Sequence, residues 1–164
     1  MKKIFFTCLA LFLLSVSTYG QTDSMNGGLE NEMTKMLTTK IYMEVDSQLY
    51  SSIQGNFYIS EKPQAMIMAM VIPQSYEKAK QKISEDVKKK NVLIKDSGEF
   101  VINGKKIVFK IGEMVERGEK MIIELYAVEA TAESTILITG VYLPKDRLRF
   151  ANSAKKAATT AKLE

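Results

Sequence analysis

Met66, Met68 and Met70 stand at alternate positions in the run Ala65 to Ile72. On an extended strand all three thioethers leave the same face, and thioethers are soft ligands that select Cu(I). The same arrangement serves a plainer purpose, because methionine is an adaptable core filler. Ile67, Ala69 and Val71 fill the alternate positions, so the run asks for cover on both faces. Core packing is the preferred reading and a Cu(I) site the alternative. No metal or cofactor is expected.

The rest of the composition offers these methionines little company. The chain of 164 residues has no histidine, no tryptophan and one cysteine, Cys8. Without histidine there is no Ser-His or Cys-His nucleophile, no His-ligated zinc and no imidazole pH switch. Carboxylates are the remaining acid–base groups. Glu113 and Glu116 flank a turn, and Glu124 and Glu129 lie on or near a strand. The odd spacing within each pair puts its members on opposite faces of a regular strand. A two-carboxylate glycosidase needs its acids about 5–10 Å apart. The four are read as acids on exposed strand faces, and a carboxylate hydrolase is kept only as the alternative of another class. Gly27-Gly28 lacks the Lys-Ser/Thr of a phosphate loop.

Two surfaces are candidates for binding. Lys78, Lys80, Lys82 and Lys88 to Lys90 make one segment basic, and Lys78, Lys82 and Lys89 are the candidates for an anionic partner or membrane surface. Glu77, Glu85 and Asp86 temper that charge, so a solvated helix face is the preferred reading. Tyr50, Phe57 and Tyr58, with Tyr42, cluster near the mixed segment 47–64 and are candidates for the rim of a ligand groove. The alternative is that these rings cover the edge of the core.

The N-terminus has the layout of a secretory signal: Met1-Lys2-Lys3, an apolar run from Ile4 to Val16, then small and polar residues to Gly20. The run is short of the roughly 20 apolar residues of a membrane span. Cleavage after Gly20 removes Cys8, Lys2 and Lys3. Lys+Arg then falls from 23 to 21 against 19 Asp+Glu, so a net charge of +4 becomes +2. The mature chain is expected to be thiol-free and exported, periplasmic or secreted. Nucleic acid is not expected as a partner.

The elements that would position these groups follow from periodicity. Residues 21–40 read as a flexible leader, with a possible short helix through Leu29, Met33, Met36 and Leu37. Ile41, Met43 and Val45 alternate as a half-buried strand. Gly55-Asn56 signals a turn before a short strand at 57–59, and Ala65 to Ile72 is a covered strand. Ser75 can cap a helix whose stripe is Tyr76, Ala79, Ile83 and Val87, with Asn91 as its stop. An antiparallel meander follows: a strand from Val92, a turn or bulge at Asp96-Ser97-Gly98, an Asn103-Gly104 hairpin, an Arg117-Gly118 turn, a strand over 121–128, and a last strand over 135–143. Asn-Gly is the strongest of these signals, because both turn positions require positive φ. A closing helix from Lys145 carries Leu148, Ala151, Ala154, Ala158 and Ala161 on one side. The class is α+β: an antiparallel sheet in β-α-meander-α order with a long amphipathic helix and a C-terminal helix packed on it.

The strand and lysine-rich helix over Ala65 to Lys90, the Ile102-Asn103-Gly104 hairpin, and the late strand ending Tyr142-Leu143-Pro144 resemble the PsbP-like superfamily, which includes DcrB-like periplasmic proteins. The resemblance covers roughly residues 41–163 as one domain. It departs in the last helix, where alanines stand in place of larger aliphatics. It implies binding and assembly roles and supplies no catalytic site. The expected function is an exported, non-catalytic binding or accessory domain, with an accessory subunit of an envelope complex as the alternative; the partner is an envelope protein or a small ligand.

Overall fold

The structure, a computed structural model, describes Met36 and residues 38–164. The expected signal peptide, Cys8 and most of the leader lie outside these residues; Met36 and Thr38 are helical. The chain then runs β1 (Ile41–Tyr42), β2 (Ser51–Gln54), β3 (Phe57–Ser60), β4 (Ala65–Ile72), α1 (Tyr76–Lys89), β5 (Leu93–Ile102), β6 (Lys105–Glu116), β7 (Glu119–Glu129) and β8 (Thr135–Tyr142). A 3-10 turn at Pro144–Asp146 leads to α2 (Arg147–Phe150), α3 (Ser153–Thr160) and β9 (Lys162–Leu163). Strands β2 to β8 form one antiparallel sheet in the order β2-β3-β4-β8-β7-β6-β5, and β1 pairs with β9. The α+β class and the β-α-meander-α order are as expected. Among the described residues, no helix is long and apolar enough to cross a membrane.

The register divides the sheet into two faces. Ile67, Gly140, Glu124 and Ile111 form one row across β4, β8, β7 and β6. Met66, Val141, Ile123 and Gly112 form the next row and point the other way. Met66, Met68 and Met70 are buried on this second face. α1 covers it with Tyr76, Ala79, Ile83 and Val87. The chain leaves α1 through Asn91, which has φ +52°, while the Val92 amide donates back to the Val87 carbonyl. Val92 then sits so close over Gly112 that a Cβ there would lie 2.7 Å from its methyl.

The Glu124 face is covered from both ends of the chain. Ala154, Ala157, Ala158 and Ala161 are buried against it with Ile41, Met43, Tyr50 and Phe150. An alanine stripe docks closely because the sheet makes room for it: a Cβ at Gly140 would lie 2.7 Å from the Ala154 Cβ. Residues 39–44 are then tied into the fold. Besides the β1–β9 pair, the Glu44 amide donates to Thr160 Oγ1, Lys105 Nζ donates to the Ala161 carbonyl, and the Asn56 side chain bridges Ile41 and Thr39.

Several expectations need correction. The C-terminal segment is not one helix: it breaks at Ala151-Asn152. Leu148 consequently points into solvent, and Phe150, at 1% exposure, takes the core position. The strand expected from Ile41 keeps its alternating burial but only two residues make a ladder. Ser75 holds the N-cap position in extended conformation without a side-chain bond to the helix. Asp96 to Gly98 continue β5, and the irregularity falls between Ile94 and Asp96. The mixed segment 47–64 contains the additional strand β2, exposed along its whole length.

Candidate binding face

A single acid interrupts the apolar run of β7, and it is the most deeply buried charged residue described. Glu124 is 1% exposed. Tyr142 donates to its Oε1 at 2.6 Å and Tyr126 to its Oε2 at 3.2 Å. Burial pushes the Glu124 carboxyl above the usual carboxylate range, while the two hydroxyls and the Arg147 charge pull it partly back. The tyrosines hold their protons harder in turn. Burial raises Tyr126 and Tyr142 far above the ordinary phenol range, reinforced by Glu124. Burial also pushes Tyr50 up to about 12, partly offset by its hydrogen bond with Ser153. The expectation of four solvent-facing acids is therefore wrong for Glu124. The sequence carried a signal, since one Glu between Ile122-Ile123 and Leu125-Tyr126 needs either a solvent face or donors, and tyrosines supply the donors.

Glu124 and Glu129 do not converge. The register puts Glu129 in the row of Thr135 and Glu124 in the row of Gly140, on opposite faces as their spacing predicts. Glu113 is engaged by Lys95 at 3.6 Å and Lys120 at 3.7 Å.

Next to the buried cluster, the Glu124 face is only half covered. α3 packs on β7 and β8. On the outer strands β5 and β6, Phe100, Ile102, Phe109 and Ile111 are partly buried, and Leu93 and Val115 are 59% and 66% exposed. All six share this face by register. Gly98 leaves room for the Phe109 ring, which would lie 2.9 Å from a Cβ there. The shelf joins the buried cluster through rings: Phe100 to Phe109 at 6.1 Å, then Phe109 stacked on Tyr126 at 6.0 Å. Lys155 of α3 stands over the Phe100 ring at 5.9 Å and marks the inner border.

The residues singled out from sequence are placed differently. Tyr50 is sealed in the core against Phe150, with ring centroids 5.5 Å apart. Phe57 pairs with Met68 and Tyr58 with Ile67, so they face opposite sides of the sheet. The three do not line one groove. Met66, Met68 and Met70 lie side by side, packed beneath α1. Among the lysines, Lys78 and Lys89 are exposed, whereas Lys82 reaches Asp86 at 3.8 Å and both are nearly buried. Lys80 is held by Glu99, which also accepts from the Tyr76 hydroxyl at 2.8 Å. The Lys80 bond, then the Tyr76 bond, hold Glu99 below the usual carboxylate range. The shelf itself was not foreseen, because its residues alternate like any half-buried strand.

No protein-family model matches the chain, and no curated protein matches it. Solved structures do. LpqN, involved in cell envelope biogenesis of Mycobacterium tuberculosis, aligns at TM-score 0.59 with 11% identity over 75% of this chain and 82% of its own. PA94 of Pseudomonas aeruginosa, a protein of unknown function, aligns at TM-score 0.52 with 12% identity over 74% and 81%. The chain shares the fold of these two proteins, an antiparallel α+β sheet with helices on its faces. A cyanobacterial PsbP from Synechocystis sp. PCC 6803 also aligns, over 88% of this chain and all of its own, but at 6% identity and TM-score 0.46 it carries no argument. At such identities the likeness gives the fold alone.

Proposed function

We propose that this chain is an exported, non-catalytic accessory domain that works by binding a protein of the cell envelope. The binding surface is the outer half of the Glu124 face. One observation carries this reading: Phe100, Ile102, Phe109 and Ile111 form a half-covered apolar patch beside α3, with Leu93 and Val115 exposed on the same face on either side of Glu113. Contiguous exposed apolar surface on a folded domain marks an interaction site more often than a catalytic one. The secretory layout of residues 1–20 supports export. The fold shared with LpqN, a protein of envelope biogenesis, is consistent with that setting.

The test has two parts. The intact mass of the protein from envelope extract should show a chain beginning at Gln21; a chain retaining Met1 would contradict export by a cleaved signal. The purified native protein should carry one stoichiometric partner, lost when Leu93→Ser and Val115→Ser are combined. Retention of the partner by that double variant would contradict the assigned surface.

A further inference from the structure

Glu124 is a buried ionisable group without a catalytic task, and its surroundings are unusually lopsided. Below and beside it are donors: Tyr126 on its own strand, Tyr142 on β8, and the Arg147 charge from α2. Tyr50, hydrogen-bonded to Ser153, adds a further hydroxyl near it. From the β5 side, Asp96 acts on Tyr126, and Glu113 is engaged by Lys95 and Lys120. Above it, α3 brings no charge. Its Ser153 serves Tyr50, its alanines face the sheet, and Lys155 and Lys156 are exposed, with Lys156 on Glu44 at 3.2 Å. Ala154 rests over Gly140, directly opposite Glu124 in the register. The helix residue facing this carboxylate across Gly140 is Ala154, which offers it no hydrogen bond. Against the sheet the helix rests on alanines, which contribute little area each, while Ser153, Lys156 and Thr160 tie it to Tyr50 and Glu44.

We propose that Glu124 is a proton-linked latch for the C-terminal helix: protonated, it seats Ser153–Thr160 against the sheet, and ionised, it loosens that helix. Loosening widens the apolar face from the Phe109 shelf inward to Tyr126 and Ile138, which lie in one row across β7 and β8. The use of this motion in partner binding rests on the reading above; the latch itself does not. The sign follows from burial. The folded state holds the Glu124 proton more tightly than an open state, so closure weakens as pH rises through the folded titration.

Native-state hydrogen exchange of the full-length protein as a function of pH tests this. After correction for intrinsic exchange, protection of the Ala157, Ala158 and Ala161 amides should fall by about tenfold per pH unit across the Glu124 titration. In Glu124→Gln it should stay flat. Tyr142→Phe keeps the acid but removes a donor that favours its ionised form, so its fall should move to higher pH. Protection that is independent of pH in the native protein would overturn the latch. So would the same fall in Glu124→Gln, or an unmoved fall in Tyr142→Phe. A latch that passes alongside a partner that ignores Leu93 and Val115 would separate this inference from the proposed function.

Discussion

The Tyr142 hydroxyl reaches Glu124 Oε1 at 2.6 Å along a diagonal of the sheet: Tyr142 lies directly opposite Ile122, and Glu124 opposite Gly140. Glycine at the facing position clears the path for the long side chain and also lets Ala154 come down on top. Removing the hydroxyl leaves a buried acceptor unmatched. Tyr142→Phe is expected to cost about 1–3 kcal/mol in urea unfolding. Tyr126→Phe, losing the longer bond of 3.2 Å, is expected to cost less. A Tyr142→Phe midpoint equal to that of the native chain would contradict the assignment.

The phenols give a pH test. Tyr50, Tyr76, Tyr126 and Tyr142 all hold their protons above the usual range, chiefly through burial. Their contribution to stability is intact below the ordinary phenol value of about 10 and is lost as pH rises from there through the folded values. Ultraviolet titration of the folded chain should therefore show fewer phenolates at about pH 11 than the urea-unfolded chain. Coincident curves would contradict the burial of these rings.

The close docking of α3 requires glycine at 140: an added Cβ meets the Ala154 Cβ at 2.7 Å, and neither atom sits on a flexible arm. Gly140→Ala must push α3 off the sheet, at about 1–3 kcal/mol. Thermal unfolding should show a clear drop for Gly140→Ala and a recovery in the double variant Gly140→Ala, Ala154→Gly.

The broken C-terminal helix makes a paired prediction. Phe150 contacts Tyr50 and Tyr142 at centroid distances of 5.5 and 6.1 Å. Phe150→Ala should cost about 3–5 kcal/mol. Leu148→Ser, at a fully exposed position, should change stability by less than about 0.5 kcal/mol. Similar losses for both would restore the continuous helix.

The contrast between Leu148 and Phe150 also shows where sequence reading stops. The α1 stripe, the doubly covered β4 and the Asn103-Gly104 hairpin were legible because each rests on local chemistry: helical spacing, unbroken apolarity, and positive φ at Asn103 and Gly104. The C-terminal stripe was misread because the break at Asn152 rotates the two halves, and nothing local marks it strongly. Strand β2 was missed because Ser51 to Gln54 bury nothing. Glu124 was misplaced because its partner Tyr142 is 18 residues away. The shelf was invisible for the same reason: whether Phe100 and Phe109 are covered depends on how far α3 extends over the sheet.

The central claim, that the outer half of the Glu124 face is the working surface, is tested most directly by site-specific photo-cross-linking in the native host. The cross-linker is placed at Leu93, Phe100 or Val115 on the shelf, and at Lys78 or Lys89 on the exposed side of α1. The account predicts one envelope protein captured from all three shelf positions and none from the α1 positions. Capture from Lys78 and Lys89 alone, with the shelf positions silent, would contradict it.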